Sequence, residues 1–117
     1  MHVKEFNQIL DQQIEQTRNV LAGKAEEYAT DHDRLANFKK SANLTDRNKA
    51  QAVTGMMSRH TTSVYDMVES RKAYTAAEWD ENIGDHINYL ILLKAVLVED
   101  GLYVEPEPKR GRPAKKN

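Results

Sequence analysis

Apolar residues recur along most of this chain at steps of three and four, the spacing that places them on one side of an α-helix. Phe6, Ile9 and Leu10 are followed by Ile14, Thr17, Val20 and Leu21, then by Ala25 and Tyr28. This predicts a long first helix, in which Gly23 lowers propensity without ending the element. The period falters across Ala29 to Asp33, where Asp31 or Asp33 is placed to cap a short second helix carrying Leu35, Ala36 and Phe38. Leu44-Thr45-Asp46 reads as the next start, with Thr45 or Asp46 as N-cap. Ala50, Val53, Met56 or Met57, His60, Val64 and Met67 or Val68 then follow at helical spacing.

Thr75-Ala76-Ala77-Glu78 matches a capping box, in which the threonine hydroxyl and the glutamate carboxylate each satisfy a free backbone N–H. Trp79, Ile83, Ile87, Leu90, Ile91 and Val98 form the apolar stripe of the helix it opens, and Gly101 suits the position after its end. Few segments favour strands. The expectation is an all-α fold: an antiparallel bundle of three long helices and one short one over residues 1–104, with an extended tail over 105–117 where Pro106, Pro108 and Pro113 interleave with charges.

Composition narrows the class. At 117 residues the chain is one domain with a modest core, and a homo-oligomer would add burial that the single chain lacks. The absence of cysteine rules out disulfides and thiolate metal sites, so a cytoplasmic location is expected. Tyr89 to Val98 is the longest apolar run; Lys94 interrupts it and it is too short to span a bilayer, so no membrane association is expected. Lys4, Glu5 and Asp11 break up any signal-peptide pattern at the start. The formal net charge of −1 hides a division, because residues 105–117 carry five basic side chains against two glutamates and leave the helical body acidic.

Polar groups inside the fourth helix are the main chemical signal. Glu81, Asp85 and Asn88 stand at i, i+4 and i+7 and share a face that Leu92 continues. Ile83, Ile87, Leu90 and Ile91 cover one side of this helix, while Tyr89, Leu92, Leu93 and Val96 extend around the other. Carboxylates at a core edge are costly unless a cation or a hydrogen-bond network offsets them. On the first helix Lys24, Glu27 and Asp31 occupy i, i+3 and i+7, so side-by-side packing would turn Glu27 and Asp31 toward Glu81 and Asp85. Such an all-oxygen set suits Mg²⁺ or Mn²⁺ better than zinc. The metal would accept phosphate oxygens of a nucleotide, with Lys24, Arg34 or Lys39 neutralising charge on the leaving phosphate and Asn88 orienting water or a ligand. Asn37-Phe38 offers an amide and an aromatic wall to a base; His32 and His86 are further contacts, and His60 lies with Met56, Met57 and Val64 as a core-edge histidine or a ligand contact. The plainer reading is that acidic pairs at i, i+4 are ordinary helix surface and that Phe38 is packing.

The segment Glu27-Tyr28-Ala29-Thr30-Asp31-His32-Asp33-Arg34-Leu35-Ala36-Asn37-Phe38 resembles segments of small phage and prophage helical proteins, and Trp79 to Tyr89 is similar to their second polar helix. Together the two segments resemble the all-α nucleoside triphosphate pyrophosphatases related to MazG, which hold magnesium between neighbouring helices and cleave nucleotides to monophosphate and pyrophosphate. The resemblance implies metal binding by Glu27, Asp31, Glu81 and Asp85, which are the candidate catalytic residues; Lys24, Arg34, Asn37, His60 and Asn88 are candidate substrate contacts from their own chemistry, and a phage-encoded chain would work in the host cytoplasm. The spacing departs from that family's ExxE and ExxD pairs, since both acidic pairs here are four apart. A nucleotide-binding relative without hydrolysis therefore stands beside the enzyme.

The tail carries a separate signal. Pro108-Lys109-Arg110-Gly111-Arg112-Pro113-Ala114-Lys115-Lys116 resembles an AT-hook, whose Arg-Gly-Arg-Pro core enters the minor groove of A·T-rich DNA while nearby lysines meet phosphates. This makes a DNA-binding helical accessory protein the alternative function, with an oligomeric protein-interaction module as a third. A solubilising basic end is the plainer reading of the same residues.

Overall fold

The computed structural model describes residues 1–28 and 33–106, with the side chains of residues 24–28 outside that description. Four helices, α1 (Val3–Tyr28), α2 (Ala36–Thr45), α3 (Lys49–Ser70) and α4 (Ala76–Glu99), account for the regular structure, and no strand occurs among the described residues. The fold is all-α.

Local chemistry explains most of the boundaries. Thr75 and Glu78 form the reciprocal capping box that opens α4. Asp33 is not the cap of α2: that position is Leu35, which makes no side-chain cap bond, and the Asp33 side chain instead accepts from the Leu35 backbone N–H at 3.0 Å; Asp31 lies outside the described residues. The start of α3 differs from the expectation. Thr45 is the last residue of α2, and Asp46 ends that helix in the left-handed region at φ 54°. The cap of α3 is Asn48, which forms its own capping box with Gln51. At the far end of α4, Gly101 adopts φ +74°, and the N–H groups of Gly101 and Leu102 return to the carbonyls of Val98 and Leu97. That pair of bonds is a Schellman closure, which needs the left-handed residue that glycine supplies.

Helices α3 and α4 pair antiparallel. Lys49 meets Glu99 and Asp100 at one end, while His60 meets Tyr89 and Thr61 meets His86 further along, so residue numbers rise on one helix as they fall on the other. Leu35, Phe38, Val53 and Val96 form the core, with Ala50, Met56, Tyr89, Leu92 and Leu93 packed against it. Val53 and Val96 are fully enclosed.

The face of α4 turned inward is therefore the one carrying Tyr89, Leu92, Leu93 and Val96. The Ile83, Leu90, Ile91 and Val98 side is substantially exposed, as are Phe6, Leu10 and Ile14 of α1. Among the described residues, none of the buried core residues comes from α1.

An ion cluster joins the ends of three elements. Lys49 bridges Glu99 and Asp100 of the α4 terminus, and Lys39 of α2 pairs with Asp33 at 2.6 Å and with Glu99 at 3.7 Å. The Glu99 and Asp100 carboxylates hold the Lys49 ammonium above its ordinary value, and Asp33 does the same for Lys39. In return, the Lys39 hydrogen bond and the Leu35 N–H hold the Asp33 carboxyl below the usual range.

Candidate functional site

On α4 the polar positions and the inward-facing apolar positions overlap. Asp85, Asn88, Tyr89 and Leu92 follow one another by one turn or less, and all line a chamber of about 380 Å³. Met56 and His60 come from α3, Asn37 and Phe38 from α2, Val20 and Leu21 from α1, and Arg34 from the turn before α2. All four helices thus contribute a wall. The volume lies within the ~300–1,000 Å³ range of small-molecule sites.

The chemistry of this chamber is mixed. The His60 ring stacks on Tyr89 with centroids 5.3 Å apart and planes at 25°. His60 Nδ1 lies 3.7 Å from Asp85 Oδ2, close enough for charge attraction and too long for a good hydrogen bond. The Arg34 guanidinium donates to the Leu21 carbonyl at 3.4 Å, which holds the cation at the chamber edge against α1. Phe38, itself part of the core, supplies an aromatic wall.

Asn88 stands out energetically. Its side chain is 7% exposed, and its Oδ1 is shielded from solvent and accepts no hydrogen bond from the described residues. An unsatisfied buried acceptor costs about 1–3 kcal/mol, so a native protein that keeps one leaves a partner to be supplied. A ligand N–H, a water or a cation would fill that role.

A second, smaller concavity of about 240 Å³ adjoins the chamber through Val20, Asp85 and Asn88. Its other lining residues include Gln13, Gln16 and Thr17 of α1 and Asp80, Glu81 and Gly84 of α4. Glu81, Asp85 and Asn88 accordingly share one face and one continuous space, as their spacing predicts. Arg34, Asn37, His60, Asp85 and Asn88, each singled out from sequence, converge on the same chamber.

The other expected groups divide into two sets. Lys24 and Glu27 belong to α1 with side chains outside the described residues, and Asp31, His32 and the tail residues Lys109, Arg110, Gly111, Arg112, Pro113, Lys115 and Lys116 lie outside them altogether. Lys39 is engaged in the ion cluster, and His86 Nε2 is 3.0 Å from the Thr61 hydroxyl rather than in the chamber. Among the described residues no three histidine or acidic side chains are grouped closely enough to hold a metal ion. The donors that are described, the Asp85 carboxylate and the Asn88 amide oxygen, are hard oxygens of the type magnesium prefers.

Several participants were not evident from sequence. Tyr89 was read as an apolar flank of α4 yet stacks on the chamber histidine, and Thr17 was read as part of the apolar period of α1 yet lines the smaller concavity beside Gln13. The signal was present in Thr17 itself, a hydroxyl at an apolar position.

No protein-family model, curated protein or solved structure matches this chain.

Proposed function

We propose that the four-walled chamber binds a nucleotide, and that the protein is a Mg²⁺- or Mn²⁺-dependent nucleotide pyrophosphohydrolase, or a nucleotide-binding relative that has lost hydrolysis. The observation that carries this reading is the buried Oδ1 of Asn88, without a partner among the described residues, in a cavity that also holds Arg34, His60 and Asp85. An amide with an orphaned acceptor is suited to an N–H on a base edge. Phe38 and the His60–Tyr89 pair offer flat surfaces for the base, and Arg34 offers a fixed positive charge for phosphate.

In this reading Asp85 and Glu81, with Glu27 and Asp31 from the other polar segment, hold the divalent ion. When bound, the ion polarises phosphorus and lowers the pKa of an attacking water. Asp85 is the carboxylate that lines both concavities, which suits a group that touches metal and substrate together.

The test is pyrophosphate release from individual NTPs and dNTPs with Mg²⁺ or Mn²⁺, alongside calorimetric binding. Release that is abolished by Asp85→Ala supports the enzyme. Binding without release supports the non-hydrolytic relative, and neither binding nor release with any nucleotide overturns the proposal.

The Arg110-Gly111-Arg112-Pro113 sequence favours a second reading in which the tail contacts A·T-rich DNA, either as the main function or to localise the enzyme. Salt-sensitive binding to an A·T-rich duplex should disappear when residues 109–117 are removed. Equal affinity of the full and truncated chains would reject the hook.

A further inference from the structure

Another concavity among the described residues is larger than the polar chamber. A groove of about 750 Å³ runs between α1 and α4, walled by Leu10, Ile14 and Leu21 on one side and Ile87 and Ile91 on the other. Its apolar walls continue outward in both directions. Phe6, Leu10 and Ile14 of α1 and Ile83, Leu90 and Ile91 of α4 are each between 39% and 57% exposed.

Such a surface is costly to leave in water, and these side chains remain exposed among the described residues. Together with Val3 and Val98, these residues leave roughly 700 Å² exposed, above the few hundred Å² of an ordinary apolar surface patch. It is also on the order of the ~800 Å² per partner in a standard protein interface. The N-terminal half of α1 sharpens the point. Val3, Phe6, Leu10 and Ile14 form an apolar stripe along one side of a helix none of whose described side chains is in the buried core, and helices in water owe most of their stability to burying such a stripe.

We infer that this face is a homodimer interface, in which the α1 stripe of one copy seats in the α1/α4 groove of the other. The occupant is specified by the surface itself. One helix supplies both the projecting stripe and one wall of the groove, so two copies related by a two-fold axis satisfy each other's stripe and groove at once. The exposed apolar area is of the size a stable dimer requires.

Sedimentation of the full chain across a concentration series tests this directly. The chain has a mass of 13.4 kDa, so the expected result is a species of twice that mass with dissociation in the micromolar range or tighter. Leu10→Glu and Ile91→Glu, each at an exposed site on the patch, should return the protein to the monomer mass. Tyr65→Glu, at a site 69% exposed outside the groove lining, should not.

Hydrogen exchange on the unmodified chain gives an independent readout that does not depend on a variant folding. Amides of residues 3–14 should be protected at high concentration and lose protection on dilution. A monomer throughout the series overturns the inference, as does a dimer that folded Leu10→Glu and Ile91→Glu proteins leave intact, or protection of residues 3–14 that is indifferent to concentration.

Discussion

Replacing Asn88 with leucine separates the two demands that meet at this position. The Asn88 Oδ1 is buried without a partner among the described residues, a state that costs about 1–3 kcal/mol in the unliganded protein. Leucine keeps the branch at Cγ, removes the orphaned acceptor, and directs its extra volume toward a chamber of about 380 Å³ rather than into packed core. The expected change is therefore stabilisation, by about 1–2 kcal/mol after allowance for imperfect packing. In a domain of this size each kcal/mol shifts Tm by ~4–8 °C, so Asn88→Leu should melt at least several degrees above the parent protein. The same substitution removes the group proposed to meet the base. A nucleotide at a hundredfold excess over its Kd stabilises a protein by about 2.7 kcal/mol, and that added protection should be present in the parent and absent from the variant. Thermal unfolding with and without nucleotide reads both effects. A lower Tm for Asn88→Leu would mean that the amide stabilises the unliganded fold, and the argument from an unsatisfied acceptor would fail.

Three further outcomes follow from the packing and the charges. Val96→Ala removes two methyl-sized groups from a fully enclosed side chain and should cost about 2 kcal/mol in denaturant unfolding, whereas Val98→Ala on the outer face of the same helix should cost under ~0.5 kcal/mol in the monomer. Gly101→Ala places a Cβ in the left-handed region at the α4 closure; it should lower stability by about 1 kcal/mol although nothing lies within 4 Å of the added carbon, and no loss would remove the conformational explanation. The ion cluster predicts a window in pH. Because Asp33 is held below its ordinary value, its contribution is present above the usual carboxylate pKa and is lost as pH falls through the lowered one. Because Lys39 and Lys49 are held above theirs, their contribution is present below the usual lysine pKa and is lost as pH rises through the raised ones. Lys49→Met should consequently destabilise near neutrality and converge with the parent at strongly alkaline pH, and a difference independent of pH would exclude the ionic origin.

Short-range chemistry was the most legible part of this sequence. The Thr75–Glu78 box and the Gly101 closure depend on residues within one turn of each other, and both form as their spacing predicts. The start of α3 was misplaced because two capping signals lie three residues apart. Thr45-Asp46 and Asn48-x-x-Gln51 are each plausible locally, and the choice was made by α2 continuing through Thr45 until Asp46 turned into the left-handed region. The orientation of α4 could not be read from its own pattern, because it is apolar on two sides. Packing against Phe38 and Val53 selected Tyr89, Leu92, Leu93 and Val96 as the inner side and brought Asp85 and Asn88 in with them. The chamber residues Arg34, Asn37, His60, Asp85 and Asn88 were named from residue chemistry. Their convergence depends on four segments far apart in sequence, which no local period encodes.

The two sides of α4 bear on each other through a shared wall. Leu21 and Arg34 line both the polar chamber and the apolar groove, and the Arg34 guanidinium is tied to the Leu21 carbonyl between them. A phosphate drawn to Arg34 in the chamber would fix the same side chain that borders the groove, and a second copy seated in the groove would fix it from the other side. Each event then spends ordering entropy that the other no longer has to supply, so nucleotide binding and dimerisation should favour one another. Thermodynamic linkage makes this quantitative: the factor by which nucleotide tightens the dimer must equal the factor by which dimerisation tightens nucleotide binding, and couplings of this kind typically amount to about 5–150-fold. Sedimentation with saturating nucleotide and calorimetry on the parent and the Leu10→Glu monomer measure the two factors separately. Arg34→Ala should bring both close to unity. A nucleotide affinity identical in monomer and dimer would show that the shared wall transmits nothing, and that the chamber and the groove act independently on opposite sides of one helix.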